Sequence, residues 1–358
     1  MKEKNSLPTI GIIGLGAVGF MLTNQLLKSN KGYIIKLLGK KKALKQFKNY
    51  FIESPAEFCQ SYKQFFSKPH PNIILLAIPN PIDATINSIS KELKNNKAIK
   101  STTIVPLQNG VSAVKTIQLI STKYKLNQLN IVKGCITNAS TRNSPISLKP
   151  AQYNPKKLFI ALAKINSQSN LIIVIKLFQN MNFIVKKVNN LASLQWSKLI
   201  SGNLSGYSTA VTFMPLIYTL HDNDLLRFEI KCFKERLKII NKAKIKIIDL
   251  PGFKARRIAL IAQYLPTNIL IQLKTLIYKS NLAPRSNTMP STAKKILAGK
   301  KTEVDYYLKP IIDLGNKYNQ NMPIAKKLYS IIKQFETGQV NPKQLSLNKR
   351  KLLLTGST

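Results

Sequence analysis

Acidic side chains are scarce in this chain: 14 Asp and Glu stand against 56 Lys and Arg, for a formal net charge of +42. Histidine, cysteine and tryptophan are rarer still, with two, three and one copies. Each shortage excludes something. With His70 and His221 as the whole supply, a histidine-built metal centre or a Ser-His-Asp triad lacks material. Cys59, Cys135 and Cys232 lie far apart without C-x-x-C spacing, so neither a disulfide framework nor a zinc site is expected, and a reducing compartment is. No apolar run reaches the ~20 residues that a bilayer-spanning helix needs; residues 73–78 and 171–175 have the length of strands. Met1-Lys2-Glu3-Lys4 and the apolar run after it have the outline of a secretory signal. Four glycines (Gly11, Gly14, Gly16 and Gly19) break that run, which weakens it as a helical signal core. A cytoplasmic protein with no membrane insertion and no metal site is expected.

The charge excess could serve a nucleic acid or an anionic surface. Yet the arginines are only Arg142, Arg227, Arg236, Arg256, Arg257, Arg285 and Arg350. Arginine is the residue of bidentate phosphate and guanine recognition, so its scarcity argues against a sequence reader. The lysines are spread along the chain, and abundant Lys, Asn and Ile fit the coding bias of an AT-rich genome. Nucleic acid is therefore disfavoured as a partner. A scaffold that binds polyanions without redox chemistry stays as the second reading.

What is present is a core, at 44% apolar residues, and one informative motif. The run from Ile10 reads as a buried parallel strand that ends in Gly14-Leu15-Gly16-Ala17-Val18-Gly19, and residues 17–28 read as the helix that follows. In such a turn Gly14 permits the tight bend, Gly16 admits a pyrophosphate to the backbone, and Gly19 lets helix and strand pack closely. The helix N-terminus adds unpaired N–H groups and a positive dipole end for phosphates.

Strand-like runs at 33–38, 73–78, 101–107 and 130–137 continue the pattern, with helical stretches such as 42–50 and 81–93 between them. Runs at 157–163 and 182–188 finish it. Strands separated by helices argue for a parallel, doubly wound sheet. From Asn190 the character changes to long helical segments at 191–213, 222–243, 268–280, 302–318 and 325–335. The expected architecture is an α/β, Rossmann-type, doubly wound sheet domain at 1–189, an all-α substrate domain at 190–338, and a polar, poorly ordered tail at 339–358. Ligands of such sheets bind beyond the carboxyl ends of the strands.

A site for NAD usually carries an acid at the end of the second strand to hold the ribose hydroxyls. Here the position reads Leu38-Gly39-Lys40-Lys41-Lys42, without an acid and with a cationic cluster that would welcome a 2′-phosphate. That favours NADP, with Lys40 as a contact. Three further motifs stand out: Gln108-Asn109-Gly110 after the fourth strand, Trp196-Ser197-Lys198-Leu199 in the helical half, and Thr302-Glu303-Val304-Asp305-Tyr306, which spends two of the scarce acids. Read singly, each has a plain alternative: a turn, a solvated lysine, and acids that complement a helix dipole.

In this order, with the glycine turn before them and Asn321-Met322-Pro323-Ile324 and Lys327-Leu328-Tyr329 after them, the motifs resemble ketopantoate reductase (2-dehydropantoate 2-reductase), within the 6-phosphogluconate-dehydrogenase-like group. The resemblance runs over residues 8–335. It implies NADPH-dependent reduction of a 2-oxo acid to a 2-hydroxy acid, as in pantothenate biosynthesis. It implies Lys198 as the proton donor, Asn109 in contact with cofactor and substrate, Ser291 holding substrate, and Glu303 beside the nicotinamide ribose. Gly14, Leu15, Gly16, Ala17, Val18 and Gly19 would hold the dinucleotide. A homodimer is left open.

The chain also departs from the family. Gly202 and Gly206 stand four and eight residues after Lys198, on one helix face where the family carries asparagines. Asn203 is one residue away, about 100° around the helix. Leu216 replaces a further substrate asparagine, Pro79 a lysine, and Leu308-Lys309 an Asn-Gly pair. These changes open room above Lys198 and remove polar clamps. A bulkier 2-oxo acid, or a weakened enzyme, is compatible with them.

Overall fold

A computed structural model describes residues 8–29, 31–51, 53–96, 101–126, 129–137, 157–201, 207–273 and 289–355. Two compact units emerge. The first comprises Met1–Gln195 with Leu250–Phe253, and the second Trp196–Asp249 with Lys254–Thr358.

The first unit is built on an eight-stranded sheet in the order β3-β2-β1-β4-β5-β6-β7-β8. The strands are β1 (Thr9–Ile13), β2 (Ile34–Leu38), β3 (Glu57–Cys59), β4 (Ile73–Leu76), β5 (Thr103–Pro106), β6 (Asn130–Ile136), β7 (Leu158–Lys164) and β8 (Phe183–Val188). Strand order reverses between β1 and β4, the topological switch point at which doubly wound sheets bind nucleotides. Successive side chains of a strand face opposite sides, and the sequence fills both sides. Ile12, Leu37, Leu75, Val105 and Val132 feed one core layer; Ile13, Leu38, Ile74, Ile104 and Ile131 feed the other. The helices Ala17–Lys28, Lys41–Tyr50 and Gln168–Asn180 close the first layer, and Asp83–Asn95 and Ala113–Lys123 the second.

Within the first unit the structure adds to or corrects the sequence reading. β7 runs antiparallel to β6, pairing Val132 with Lys164 and Ile136 with Ile160, so the sheet is mostly but not wholly parallel. The apolar run 171–175, which has the length of a strand, lies in the Gln168–Asn180 helix. Ser167 caps that helix through the Asn170 amide at 3.4 Å, and Leu171, Val174, Leu177 and Phe178 recur at helical spacing to bury one side. β3 is a short edge strand whose Glu57 pairs with Lys36, a lysine buried within β2, at 3.2 Å.

In the second unit the Asn223–Lys242 helix is the hub. Its buried face, including Leu225, Phe228 and Cys232, packs with the helices Tyr207–Thr212, Ser291–Leu297 and Pro323–Thr337 around one apolar cluster. Asp222 caps it, accepting from the amides of Asp224 at 3.1 Å and Leu225 at 3.0 Å. Two of its acids cap neighbouring helices in turn. Glu229 accepts from the backbone amides of Tyr207 (3.1 Å) and Ser208 (2.7 Å), and Glu235 from those of Ile324 and Ala325 (2.9 Å each). The scarce carboxylates are thus concentrated at helix N-termini, where orphan amides and the dipole favour a negative charge.

The segment expected as a poorly ordered tail contains the Leu347–Thr355 helix, which buries Leu354 in that cluster. Arg350 donates to the carbonyls of Thr212 (3.1 Å), Pro342 (3.1 Å) and Leu345 (2.7 Å). A polar sequence is held here by the bonds of Arg350 to carbonyls and by the pairing of Lys351 with Asp222. The helical stretch expected at 191–213 is two helices, Leu191–Ser201 and Tyr207–Thr212. Gly202, Asn203 and Gly206 lie outside the described residues, as do 274–280 of the helix expected at 268–280. No helix among the described residues is long and apolar enough to cross a membrane.

Candidate dinucleotide and catalytic sites

β1 ends at the glycine turn, and the turn is tied to both neighbouring strands. The amide of Gly14 donates to the Leu38 carbonyl at the end of β2 (2.9 Å), and the amide of Ala77, just past β4, donates to the Ile13 carbonyl (2.8 Å). Gly14 has φ +105°, and a Cβ there would stand 2.7 Å from the Ala77 carbonyl. Only glycine suits both constraints. Gly19 is closer still, since its Cβ would lie 2.0 Å from the Gly14 carbonyl oxygen. Gly16 is the opposite case: it is exposed, and a Cβ there would meet nothing within 4 Å. It is also the N-cap of the Ala17–Lys28 helix, with no side chain capping it and no acid in the first turn. The helix therefore presents orphan N–H groups and open space at one spot, the requirements of a phosphate cradle. Leu15 is buried beneath the turn, and Ala17 and Val18 are half-buried. Lys40, Lys41 and Lys42 are exposed where β2 gives way to the Lys41–Tyr50 helix.

The loop after β5 is clamped from several sides. Gln108 turns inward, donating from Nε2 to the carbonyls of Leu76 (3.1 Å) and Ile78 (2.9 Å) at the end of β4. Asn80 Nδ2 donates to the Asn109 carbonyl at 3.1 Å. Lys133, buried in β6, donates to the carbonyls of Pro106 (3.1 Å) and Gln108 (2.6 Å). Asn109 itself is exposed, and Gly110 closes the turn at φ +88°. Neither Asn80 nor Lys133 belongs to a motif of the sequence. A lysine inside the apolar run Ile131-Val132-Lys133-Gly134-Cys135-Ile136 was the available signal, concealed by a chain full of lysines.

In the second unit Lys198 occupies the last turn of the Leu191–Ser201 helix, half-buried between buried neighbours Trp196, Ser197, Leu199 and Ile200. Ser197 anchors this stretch by accepting from the Ile248 amide at 2.9 Å. Ser291 is exposed at the first position of the Ser291–Leu297 helix, and Lys295, one turn later, pairs with Glu303 at 3.1 Å.

The remainder of the Thr302–Tyr306 motif holds Glu303 in place. Asp305 accepts from the Tyr329 hydroxyl (2.6 Å) and from Lys333 (3.2 Å), while Glu336 accepts from the Thr302 amide (2.6 Å) and from Lys333 (2.8 Å). Burial alone would raise both carboxyls; these donors outweigh it and hold Asp305 and Glu336 below the usual carboxylate range. The same Asp305 bond, with burial, pushes the Tyr329 phenol up to about 12.

Sequence models of the ketopantoate reductase PanE/ApbA family match residues 10–161, and those of its C-terminal domain residues 190–336. No functionally curated protein matches the chain in sequence. Among solved structures, the PanE/ApbA family ketopantoate reductase from Ralstonia eutropha JMP134 is similar at 16% identity and TM-score 0.68, over 92% of this chain and 99% of that one. A D-mandelate dehydrogenase with NADH and anilino(oxo)acetate is similar at 16% identity and TM-score 0.67, with the same coverage. A dimeric ketopantoate reductase from Staphylococcus aureus is similar at 12% identity and TM-score 0.61, over 93% of this chain and 100% of that one. These neighbours are oxidoreductases, and their likeness to this chain is one of fold. The chain belongs to the ketopantoate reductase (PanE/ApbA) family.

Proposed function

We propose that this protein is a cytoplasmic, NADPH-dependent reductase that converts a 2-oxo acid to its 2-hydroxy acid, with 2-dehydropantoate as the first candidate substrate and pantothenate biosynthesis as the setting. The observation that carries the proposal is the glycine turn at the switch point of the sheet, open at Gly16 and closed at Gly14 and Gly19. Gly14–Gly19 would hold the pyrophosphate, and Lys40 would receive the 2′-phosphate, since no acid stands at the end of β2 to repel it. The bound dinucleotide supplies hydride. Everything else falls to the chain.

Reduction of a carbonyl builds negative charge on its oxygen. A lysine ammonium both stabilises that charge and gives the proton, and Lys198 is assigned this task. Asn109, exposed on its clamped loop, is assigned to nicotinamide and substrate contact, Ser291 to substrate and Glu303 to the nicotinamide ribose. A homodimer is the proposed assembly, after the dimeric neighbour.

A second reading keeps the reaction and changes the substrate. Leu216 stands where a substrate asparagine would, and one structural neighbour holds anilino(oxo)acetate, a bulky aromatic 2-oxo acid derivative. Assaying NADPH and NADH oxidation with 2-dehydropantoate and with aryl 2-oxo acids tests both. Turnover of the first supports the primary assignment, turnover of aryl acids alone supports the second, and no turnover with any 2-oxo acid contradicts both.

A further inference from the structure

β5 and β6 pair over only two positions, Thr103 with Asn130 and Ile104 with Ile131, whereas on its other edge β6 pairs with β7 from Val132 to Ile136. Among the described residues the β5–β6 ladder stops at Ile104 and Ile131, before the carbonyls of Pro106 and Gln108. Lys133 stands just past that end. Its side chain is 2% exposed, and its ammonium donates to both of those carbonyls. A buried ammonium requires such acceptors, and carbonyls past the end of a ladder require such a donor.

On the other side of the same loop the ladder to β4 is prolonged by a side chain. β4 and β5 pair up to Leu76 and Pro106, the Leu107 amide donates to the Leu76 carbonyl at 3.2 Å, and Gln108 then reaches Leu76 and Ile78. Asn80 fixes the Asn109 carbonyl. Lys133 on one flank and Gln108 and Asn80 on the other brace the 106–110 backbone, while residue 109 faces solvent.

We propose that Lys133 is a positioning residue for the nicotinamide half of the cofactor site, acting through the 106–110 backbone to aim Asn109. The inference rests on the NADPH reading above. A doubly wound sheet divides its dinucleotide between two halves, and β4 to β6 form the half opposite the glycine turn. Lys133 therefore governs one end of the ligand and leaves the other alone. Losing it costs geometry at the reacting end, where small displacements weigh heavily on rate.

The test compares two probes on wild type and Lys133→Met: 2′,5′-ADP, which carries only the adenosine half of the cofactor with its 2′-phosphate, and NADPH, followed by the fluorescence of its dihydronicotinamide. The expected result is a 2′,5′-ADP Kd within about twofold of wild type and an NADPH Kd raised at least fivefold, with the fluorescence change on binding lost. Retained 2′,5′-ADP binding shows that the variant is folded. Should Lys133→Met not fold, Asn80→Ala, which removes the bond to the Asn109 carbonyl on the opposite flank, must give the same split. Unchanged binding of both probes, or equal loss of both in a folded variant, overturns the inference and leaves the cofactor reading standing. A wild type that binds neither probe overturns the cofactor reading and this inference with it.

Discussion

A Cβ on Gly19 would stand 2.0 Å from the carbonyl oxygen of Gly14, five residues earlier in the same turn. That one distance fixes how closely the Ala17–Lys28 helix can dock on β1, and hence where its open N-terminus points. Gly19→Ala is expected to force the helix away, destabilising the protein by about 1–3 kcal/mol as overpacking does, and to abolish NADPH binding. Gly16→Ala meets no protein atom within 4 Å. It should leave thermal stability within about 1 kcal/mol of wild type, its position being tolerant, while weakening NADPH binding at least tenfold. Melting curves and fluorescence titrations of the two variants check this contrast.

Cofactor choice is predicted to follow charge at the end of β2. Lys40→Glu places an acid where NAD-dependent enzymes carry one. The NADPH/NADH ratio of kcat/KM should fall at least tenfold, equivalent to ~1.4 kcal/mol of differential binding. An unchanged ratio would place the 2′-phosphate elsewhere.

The capping carboxylates make a stability prediction. Glu229 accepts two backbone amides and the Ser208 hydroxyl (2.6 Å) from within the core. Glu229→Ala strands these donors and should cost about 2–3 kcal/mol, measurable by denaturant unfolding. Exposed Lys309 and Asp313, an i,i+4 pair at 3.1 Å, form the control, and Asp313→Ala should change stability by well under 1 kcal/mol.

Stability against pH should fall at both ends, for identifiable reasons. In Asp222, Asp305 and Glu336, burial is outweighed by hydrogen bonds, chiefly from Lys351, Tyr329 and Lys333 respectively, and the folded carboxyls titrate low. Their contribution is present above the unfolded value near ~4 and is lost as pH falls through the lower folded values. Glu235 works the other way, because burial raises it, so its share is present at low pH and declines as pH rises past ~4. Burial raises the Cys59 thiol to about 12, and Asp305 raises the Tyr329 phenol to about 12. Both favour the fold below their unfolded values and cease to do so between pH ~9 and 12. Asp305→Asn should shallow the acid limb and lower stability at pH 7 by about 1 kcal/mol, a modest figure because the site is partly solvated. Melting temperatures taken across pH 3–11 test the signs.

Much of this was legible in the chain because glycine and alternation are local signals. The turn at 14–19 could be read because each glycine answers a separate steric demand, and six of the eight strands could be placed by apolar runs beyond β1's own neighbourhood: β2, β4, β5, β6, β7 and β8. Three kinds of feature were not legible. Strand direction is absent from a strand's own alternation, so the antiparallel β7 gave no sign. A short apolar run suits strand and helix equally, and 171–175 is decided by capping at Ser167 and by burial at 174, 177 and 178. Lys133 and Asn80 act through carbonyls distant in sequence, and nothing local marks them. At the site, the sequence marks Asp305 only by its place in a motif, whereas its bonds to Tyr329 and Lys333 tie that motif to the Pro323–Thr337 helix.

The central claim is reduction of a 2-oxo acid by NADPH with Lys198 as proton donor, and one comparison tests it most directly: steady-state NADPH oxidation by wild type and by Lys198→Ala with 2-dehydropantoate and aryl 2-oxo acids. The account predicts turnover of at least one of these acids by wild type. It also predicts a kcat lower by about 10²–10⁴ in Lys198→Ala, the usual contribution of a general acid, with NADPH affinity retained. Full activity of Lys198→Ala, or a wild type that binds NADPH yet reduces no 2-oxo acid, would contradict it.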